Sequence, residues 1–328
     1  MSAVMEFERK EGMEAWTASL DPKRVFFTLN DQAQAEMRAF LAEYDVFDGM
    51  RIAQDVEAIR PTAERLPLCA AEVDRLISDQ LDTGVRFAVV KSVSDISLQQ
   101  QIAVPWVIGS LMGSPLEQNE AGDRLYIITD RGGKMKDGAR YSQTKEGGSF
   151  HTDGVNLKEG YDYFLLSCIS PADEGGESIL INGFSIFGDL RDEFPDALDA
   201  LKRDLVWEYK GIYKDRFYRE PILKFERGEM VWRYLRDYIE EAAVKQNEPL
   251  SEETVAAMDR LDLVMDRAGL QFRYFLKPGE TAVINDKQIF HGRTAFIDSP
   301  DAISLEERLA GNNNRPVKRT YSRIWVNR

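Results

Sequence analysis

The chain has two histidines in 328 residues, and each stands in a context suited to a metal ligand. His151 opens His151-Thr152-Asp153, and His291 lies 140 positions on (291 − 151) in Asn285-Asp286-Lys287-Gln288-Ile289-Phe290-His291-Gly292-Arg293. Two neutral imidazoles and one carboxylate on one face of an ion form the ligand set of non-haem Fe(II) oxygenases, with the opposite positions left open. The competing reading makes each histidine a hydrogen-bonder in the core, and His-x-Asp alone is a common triplet. That both histidines of so histidine-poor a chain fall in ligand-like contexts favours the metal.

The elements that must bring these motifs together can be read from periodicity. Residues 31–44 read as a helix with Met37, Phe40 and Leu41 on one face, and 69–81 as a second with Val73, Leu76 and Ile77 in register. A strand is expected over 85–90 and a third helix over 98–112, stopped by Gly113-Ser114-Pro115. Segment 122–148 holds six glycines and many charges, so a mobile loop is expected just before His151. Residues 161–169 form an apolar, aromatic strand, followed by a turn over 171–176 and another strand over 178–181. Helix signals dominate 185–270, including 251–268 with Ser251 as its cap and Thr254 in place of the stronger Glu. Short strands return at 272–276, 282–284 and 320–326.

Both ligand motifs therefore fall in β-rich segments with helices between them. The fold expected is mainly β with flanking helices (α+β), on a double-stranded β-helix, or jelly-roll, core. We divide the chain into an N-terminal helical and mixed segment, 1–84, packing on the core, and one domain over 85–328 with a helix-rich insertion at about 185–270.

With the motifs in view a family resemblance can be stated. Phe150-His151-Thr152-Asp153-Gly154 resembles the first metal motif of the TauD/TfdA family of Fe(II)/2-oxoglutarate-dependent oxygenases. Tyr141-Ser142-Gln143-Thr144 and residues 171–178 resemble the branch around γ-butyrobetaine hydroxylase and clavaminate synthase. Pro278-Gly279-Glu280, Asn285 and His291-Gly292-Arg293 resemble the second motif, and the resemblance spans 85–328. It implies that His151, Asp153 and His291 hold Fe(II), and that 2-oxoglutarate and O2 are co-substrates. The implied reaction yields succinate and CO2 and oxidises a C–H bond of a small polar metabolite, an amino acid or a natural-product intermediate. Related halogenases lack the carboxylate, so Asp153 argues for hydroxylation, desaturation or ring closure.

The far carboxylate of 2-oxoglutarate suits the planar fork of an arginine. The family's Arg-x-x-x-Arg pair matches Arg319 as the clamp and Arg323 as the second position, four residues apart on one face of the last strand. Ser178, 27 residues after His151 (178 − 151), matches a hydroxyl that assists the clamp. Gln118-Asn119 resembles a segment lining the co-substrate pocket, which makes Asn119 a candidate. Tyr126, Tyr141 and Arg323 are candidates on the substrate side. One departure stands out: His291 to Arg319 is 28 residues (319 − 291), long for the family. The excess, 298–314, reads as an inserted loop; if it instead belongs to the strand register, Arg315 becomes the alternative clamp, and Arg293 is a further competitor. Segments 122–148 and 298–314 are expected to act as lids. Two rivals from other classes remain: a non-catalytic jelly-roll protein binding metal or metabolite, and a Zn(II) hydrolase using the same ligands.

Composition narrows the partners. Hydrophobic residues at 43% and charged residues at 30% describe an ordinary globular protein, and no apolar run nears the roughly 20 residues of a membrane span. A net charge of −14 disfavours nucleic acid and anionic membranes. Residues 1–16 are acidic and mixed, with no basic region followed by an apolar stretch, so export is not expected. Cys69 and Cys168 form no Cys-x-x-Cys motif and read as buried core residues, which fits a reducing cytoplasm. The oligomeric state stays open, a homodimer being one option.

Overall fold

Alternation along the strands builds two facing sheets. The computed structural model describes residues 14–44, 52–119, 121–134, 143–148, 150–157, 160–226, 228–311 and 314–328. Early elements are β1 (Phe26–Phe27), α1 (Asp31–Leu41), α2 (Ile52–Glu57), α3 (Pro67–Leu76), β2 (Phe87–Val90), α4 (Leu98–Met112), β3 (Ser114–Pro115) and β4 (Leu125–Thr129). Next come β5 (Tyr163–Ser170), β6 (Glu174–Gly175), β7 (Ser178–Asn182), α5 (Gly183–Glu193), α6 (Pro195–Leu201), β8 (Leu205–Glu208) and β9 (Phe217–Glu220). They are followed by β10 (Leu223–Glu226), β11 (Glu229–Trp232), α7 (Arg236–Gln246), α8 (Glu252–Met265) and β12 (Gln271–Tyr274). The chain ends with β13 (Thr281–Ile284), β14 (Ile289–Arg293), β15 (Phe296–Ile297), α9 (Leu305–Leu309) and β16 (Thr320–Asn327).

The larger sheet runs β1-β2-β13-β5-β16, with β3 and β4 both on the free edge of β16. The smaller runs β12-β7-β14, and the His151 backbone extends it by bridging to His291. Because side chains alternate, one set of each strand fills the space between the sheets: Phe87 and Val89, Phe164 and Cys168, Ala282 and Ile284, Leu180, Tyr321 and Trp325. The other set of the larger sheet, including Leu165, Val283, Ile324 and Val326, packs under α1, α3 and α4. On the far side of the smaller sheet, Ile179, Ile181 and Phe290 pack under α5, α6 and α8.

Helix α4 matches its expected span of 98–112. Ser97 and Gln100 form a reciprocal capping box, and the helix is buried nearly all round. Gly109 lets it close on the sheet: a Cβ there would lie 3.4 Å from Ile324 Cγ2 and 3.6 Å from Leu165 Cδ2. The helix expected over 31–44 stops at Leu41, and that over 69–81 begins at Pro67 and widens into a π turn from Ile77. Strand expectations hold to within two residues at β2, β5, β7, β12, β13 and β16.

Three expectations are corrected. Segment 122–148 is not loop throughout, because β4 is laid into the larger sheet against β16. The stretch 185–270 holds two β hairpins, β8–β9 and β10–β11, between its helices. Segment 298–314 is no lid in its described part: Leu305 of α9 is buried in the helix-covered core, and Ile303 makes a parallel bridge to Val317. Among the described residues no helix is long and apolar enough to cross a membrane.

Candidate metal and co-substrate site

The site grows out of the smaller sheet. His151 and His291 face each other across an antiparallel bridge, exchanging backbone hydrogen bonds of 3.0 and 2.9 Å. This pairing sets their rings side by side, with centroids 4.5 Å apart. Thr152 faces away and is buried; its hydroxyl accepts from Tyr234 N at 2.9 Å, which ties the motif to the start of α7. The next residue, Asp153, turns back to the histidines, its Oδ1 3.7 Å from His151 Nε2. Donor atoms of His151, Asp153 and His291 all lie within 4.8 Å of one another. Gly154, at φ +65°, completes the turn, and a Cβ there would lie 2.3 Å from Tyr161 Cε1.

The surrounding groups orient this triad. His291 Nδ1 is 3.0 Å from Asp286 Oδ1, and its ring stacks on Phe164 at 4.9 Å. Asp286 Oδ2 also accepts from Asp153 N at 2.8 Å and from the Tyr161 hydroxyl at 2.7 Å. A proton on Nδ1, the nitrogen beside Asp286, would leave the lone pair of Nε2 for a metal. Burial raises the cost of ionising Asp153, yet the Arg323 guanidinium, helped by both histidines, holds its carboxyl below the usual range. Burial works against charge on His291 as well, but Asp286 raises its basicity. Burial and the Asp286 charge together push the Tyr161 phenol well up, so it remains a donor.

Arg323 Nη1 donates to Asp153 Oδ2 at 2.7 Å, and Trp325 Nε1 reaches the same oxygen at 3.3 Å. On its other side Arg323 Nε donates to Gln118 Oε1 at 2.7 Å, and the guanidinium lies 5.4 Å from the Tyr126 ring centre. Gln118 is itself fixed by donating to the carbonyls of Arg124 and Arg323 at 2.7 and 2.8 Å.

A cavity of about 370 Å³ opens over the triad. Arg319, 3% exposed, enters it from the start of β16. Its guanidinium lies 4.0 Å from the Tyr321 ring centre and 4.9 Å from that of Phe296, and its Nε is buried with no hydrogen-bond partner among the described residues. Gly176, at φ +75°, makes room: a Cβ there would meet Arg319 Nε at 3.0 Å. Ser178, Tyr126 and Ile128 line the same space. A buried donor left open beside a metal triad fits a carboxylate-bearing co-substrate, and the two-imidazole, one-carboxylate set fits Fe(II).

The structure thus gathers His151, Asp153, His291, Arg319, Ser178, Arg323 and Tyr126 around one cavity. Asn119 is not among them. Its side chain caps its own loop, accepting from Ala121 N and Asp123 N and donating to Asp123, and its neighbour Gln118 takes the position beside the cavity. Arg315 is exposed and bound to the Asp301 carbonyl at 2.7 Å, so it is no alternative to Arg319. Arg293 lines the cavity but donates to the Thr144 carbonyl at 2.6 Å. Tyr141 lies outside the described residues. Asp286 escaped the sequence reading although it stands five residues before His291, because a carboxylate near a ligand carries no fixed spacing.

Comparison with known proteins agrees with this geometry. The family described as "Taurine catabolism dioxygenase TauD, TfdA family" matches residues 55–309. The chain belongs to this family. It is an Fe(II)- and 2-oxoglutarate-dependent dioxygenase. The match starts before the span expected from the motifs and ends ahead of Arg319 and Arg323. FR-33289 synthase of Streptomyces rubellomurinus (strain ATCC 31215) is 25% identical over 257 residues, 76% of this chain and 71% of that protein. A uridine-5'-phosphate dioxygenase of Streptomyces sp is 30% identical over 183 residues, 53% of this chain and 65% of the relative. Among solved structures, asparagine oxygenase in complex with Fe(II), 2S,3S-3-hydroxyasparagine and succinate aligns with a TM-score of 0.64 at 13% identity. That alignment covers 92% of this chain and 93% of the other, and it shows the shared fold.

Proposed function

We propose that this dioxygenase hydroxylates a C–H bond of a small, amino-acid-like metabolite, with His151, Asp153 and His291 holding Fe(II) and Arg319 with Ser178 holding 2-oxoglutarate. The observation that carries the reading is one cavity lined both by the triad and by a buried arginine whose Nε has no hydrogen-bond partner among the described residues. Iron and 2-oxoglutarate supply the oxidising power, through decarboxylation of 2-oxoglutarate to succinate with O2.

The chain's own residues bind and orient. Asp286 keeps a proton on His291 Nδ1 and so frees Nε2 for the metal. Arg323 and Trp325 hold Asp153 Oδ2, which leaves Oδ1 facing His151. Arg319, buried in the cavity wall, would pair with the far carboxylate of 2-oxoglutarate through its planar fork. Burial of this end, under Phe164, Tyr321 and Trp325, keeps bulk water from competing for those charges.

Substrate class follows from the outer wall. Lys210, Asp237 and Glu241 line the mouth of the cavity, the two carboxylates one turn apart on α7. Lys210 pairs with Glu241, and burial with the nearby charges of Glu240 and Glu241 pushes the Asp237 carboxyl up. A wall carrying both signs suits a zwitterion, and the hydroxyasparagine bound to asparagine oxygenase is a molecule of that class. The reading also keeps the enzyme in the cytoplasm, supported by Cys69 and Cys168, both buried and unpaired. Succinate release should be screened across amino acids, betaines and sulfonates. Stimulation by a free amino acid, lost in Asp237→Asn, supports the proposal; stimulation only by substrates lacking an amino group overturns it.

A further inference from the structure

A second, smaller cavity lies between the sheets, against His291. Its volume is about 30 Å³. Phe87, Val89, Leu180, Phe272, Ala282 and Ile284 form its walls, each turned inward by strand alternation. Phe164, Leu166, Ser178, His291 and Gly292 line both this cavity and the larger one, so the two meet at His291.

The chemistry of these walls selects the guest. A buried water needs two to four polar partners, and an apolar cavity of sufficient size stays dry and takes apolar guests instead. Here the Tyr274 hydroxyl is spent on Glu280 at 2.9 Å and on Lys91 at 3.3 Å. The His291 ring turns its Nδ1 to Asp286 and stacks its face on Phe164. Ser178 is the single hydroxyl left, and it stands at the mouth shared with the larger cavity. Space for about one small molecule excludes amino acids and 2-oxoglutarate. A diatomic gas fits, and dioxygen is the apolar reagent this reaction consumes.

We propose that this cavity is a holding site for dioxygen, from which it passes His291 to the metal. The inference rests on the oxidative reading above, and the test separates the two. Metal-free crystals pressurised with xenon should show the noble gas between Phe272 and Ala282. In the Fe(II)-loaded enzyme, xenon should raise the apparent KM for O2 at least threefold and leave kcat at saturating O2 unchanged. Ala282→Leu, which fills the space, should lose the xenon site and raise KM for O2 by a similar factor, with 2-oxoglutarate affinity unchanged. Phe272→Leu, which enlarges it, should keep the site and leave KM for O2 no higher. A cavity without xenon overturns the proposal, as does xenon bound or excluded with KM for O2 unchanged, which marks a packing void. Should Ala282→Leu fail to fold, xenon competition on the unaltered enzyme decides alone. Failure of the oxidative reading looks different: no succinate at any oxygen concentration.

Discussion

Replacing Asp286 by Asn isolates the role of the ligand-orienting carboxylate with almost no change in volume. Asp286 Oδ2 accepts from Asp153 N at 2.8 Å and from the Tyr161 hydroxyl at 2.7 Å, and its Oδ1 lies 3.0 Å from His291 Nδ1 as an ion-pair contact. An amide can satisfy these in one of two orientations. If its NH2 faces Asp153 N and Tyr161, two buried donors lose their acceptor, at about 1–3 kcal/mol each. If its NH2 faces His291, both donors keep an oxygen and only the imidazole must respond, by moving its proton to Nε2. The second orientation wins by about 2 kcal/mol or more on that comparison. It puts a proton on the nitrogen needed by the metal, so the variant should fold normally and bind metal about 10–100-fold more weakly, or about 1.4–2.7 kcal/mol. Anaerobic calorimetric titration with Fe(II), alongside a thermal melt, reads both quantities. Metal affinity within twofold of the parent would refute the reasoning, whatever the melt shows.

Further predictions follow from the same contacts. Arg319→Ala should weaken 2-oxoglutarate by about 10- to 150-fold, the worth of a hydrogen bond to a charged group, with Fe(II) affinity held; Arg315→Ala should change neither, as equilibrium binding will show. Arg323→Gln removes the partner of Asp153 in a pair whose side chains are 14% and 15% exposed. It should cost the metal-free protein about 2–3 kcal/mol and the metal-loaded protein less, because the ion takes over as counter-charge, and paired thermal melts test this. Gly154→Ala should lower both stability and metal affinity, because its Cβ meets Tyr161 at 2.3 Å; Gly132→Ala, at φ +80° with nothing within 4 Å, carries only the backbone cost of about 1–2 kcal/mol.

Much of this was legible where local chemistry and tertiary need coincide. Helix α4 announces itself because Ser97 caps it and Gly113 ends it, and tertiary packing demands the same limits. Strand β16 places Arg319 and Arg323 toward one cavity because its alternation is unbroken; the register shift at Thr320 and Tyr321 leaves out Ile169 on β5 instead. Asn119 and Gln118 show where reading stops. Both are amides one residue apart, but the short Asn reaches only its own loop, whereas the longer Gln crosses to Arg323. Hairpins β8–β9 and β10–β11 were hidden because each strand has four residues, too few for periodicity to separate from helix signals on either side. Asp286 was silent for a different reason: its partners, Asp153 and Tyr161, are 133 and 125 residues away.

The central claim is that His151, Asp153 and His291 bind Fe(II) next to 2-oxoglutarate held by Arg319. Visible absorption under anaerobic conditions tests it directly, as Fe(II) and 2-oxoglutarate are added to the parent protein and to Asp153→Ala, His291→Ala and Arg319→Ala. The account predicts a metal-to-ligand charge-transfer band in the parent, none in the two ligand variants, and one requiring far more 2-oxoglutarate in Arg319→Ala. No band in the parent, or an undiminished band in His291→Ala, would contradict it.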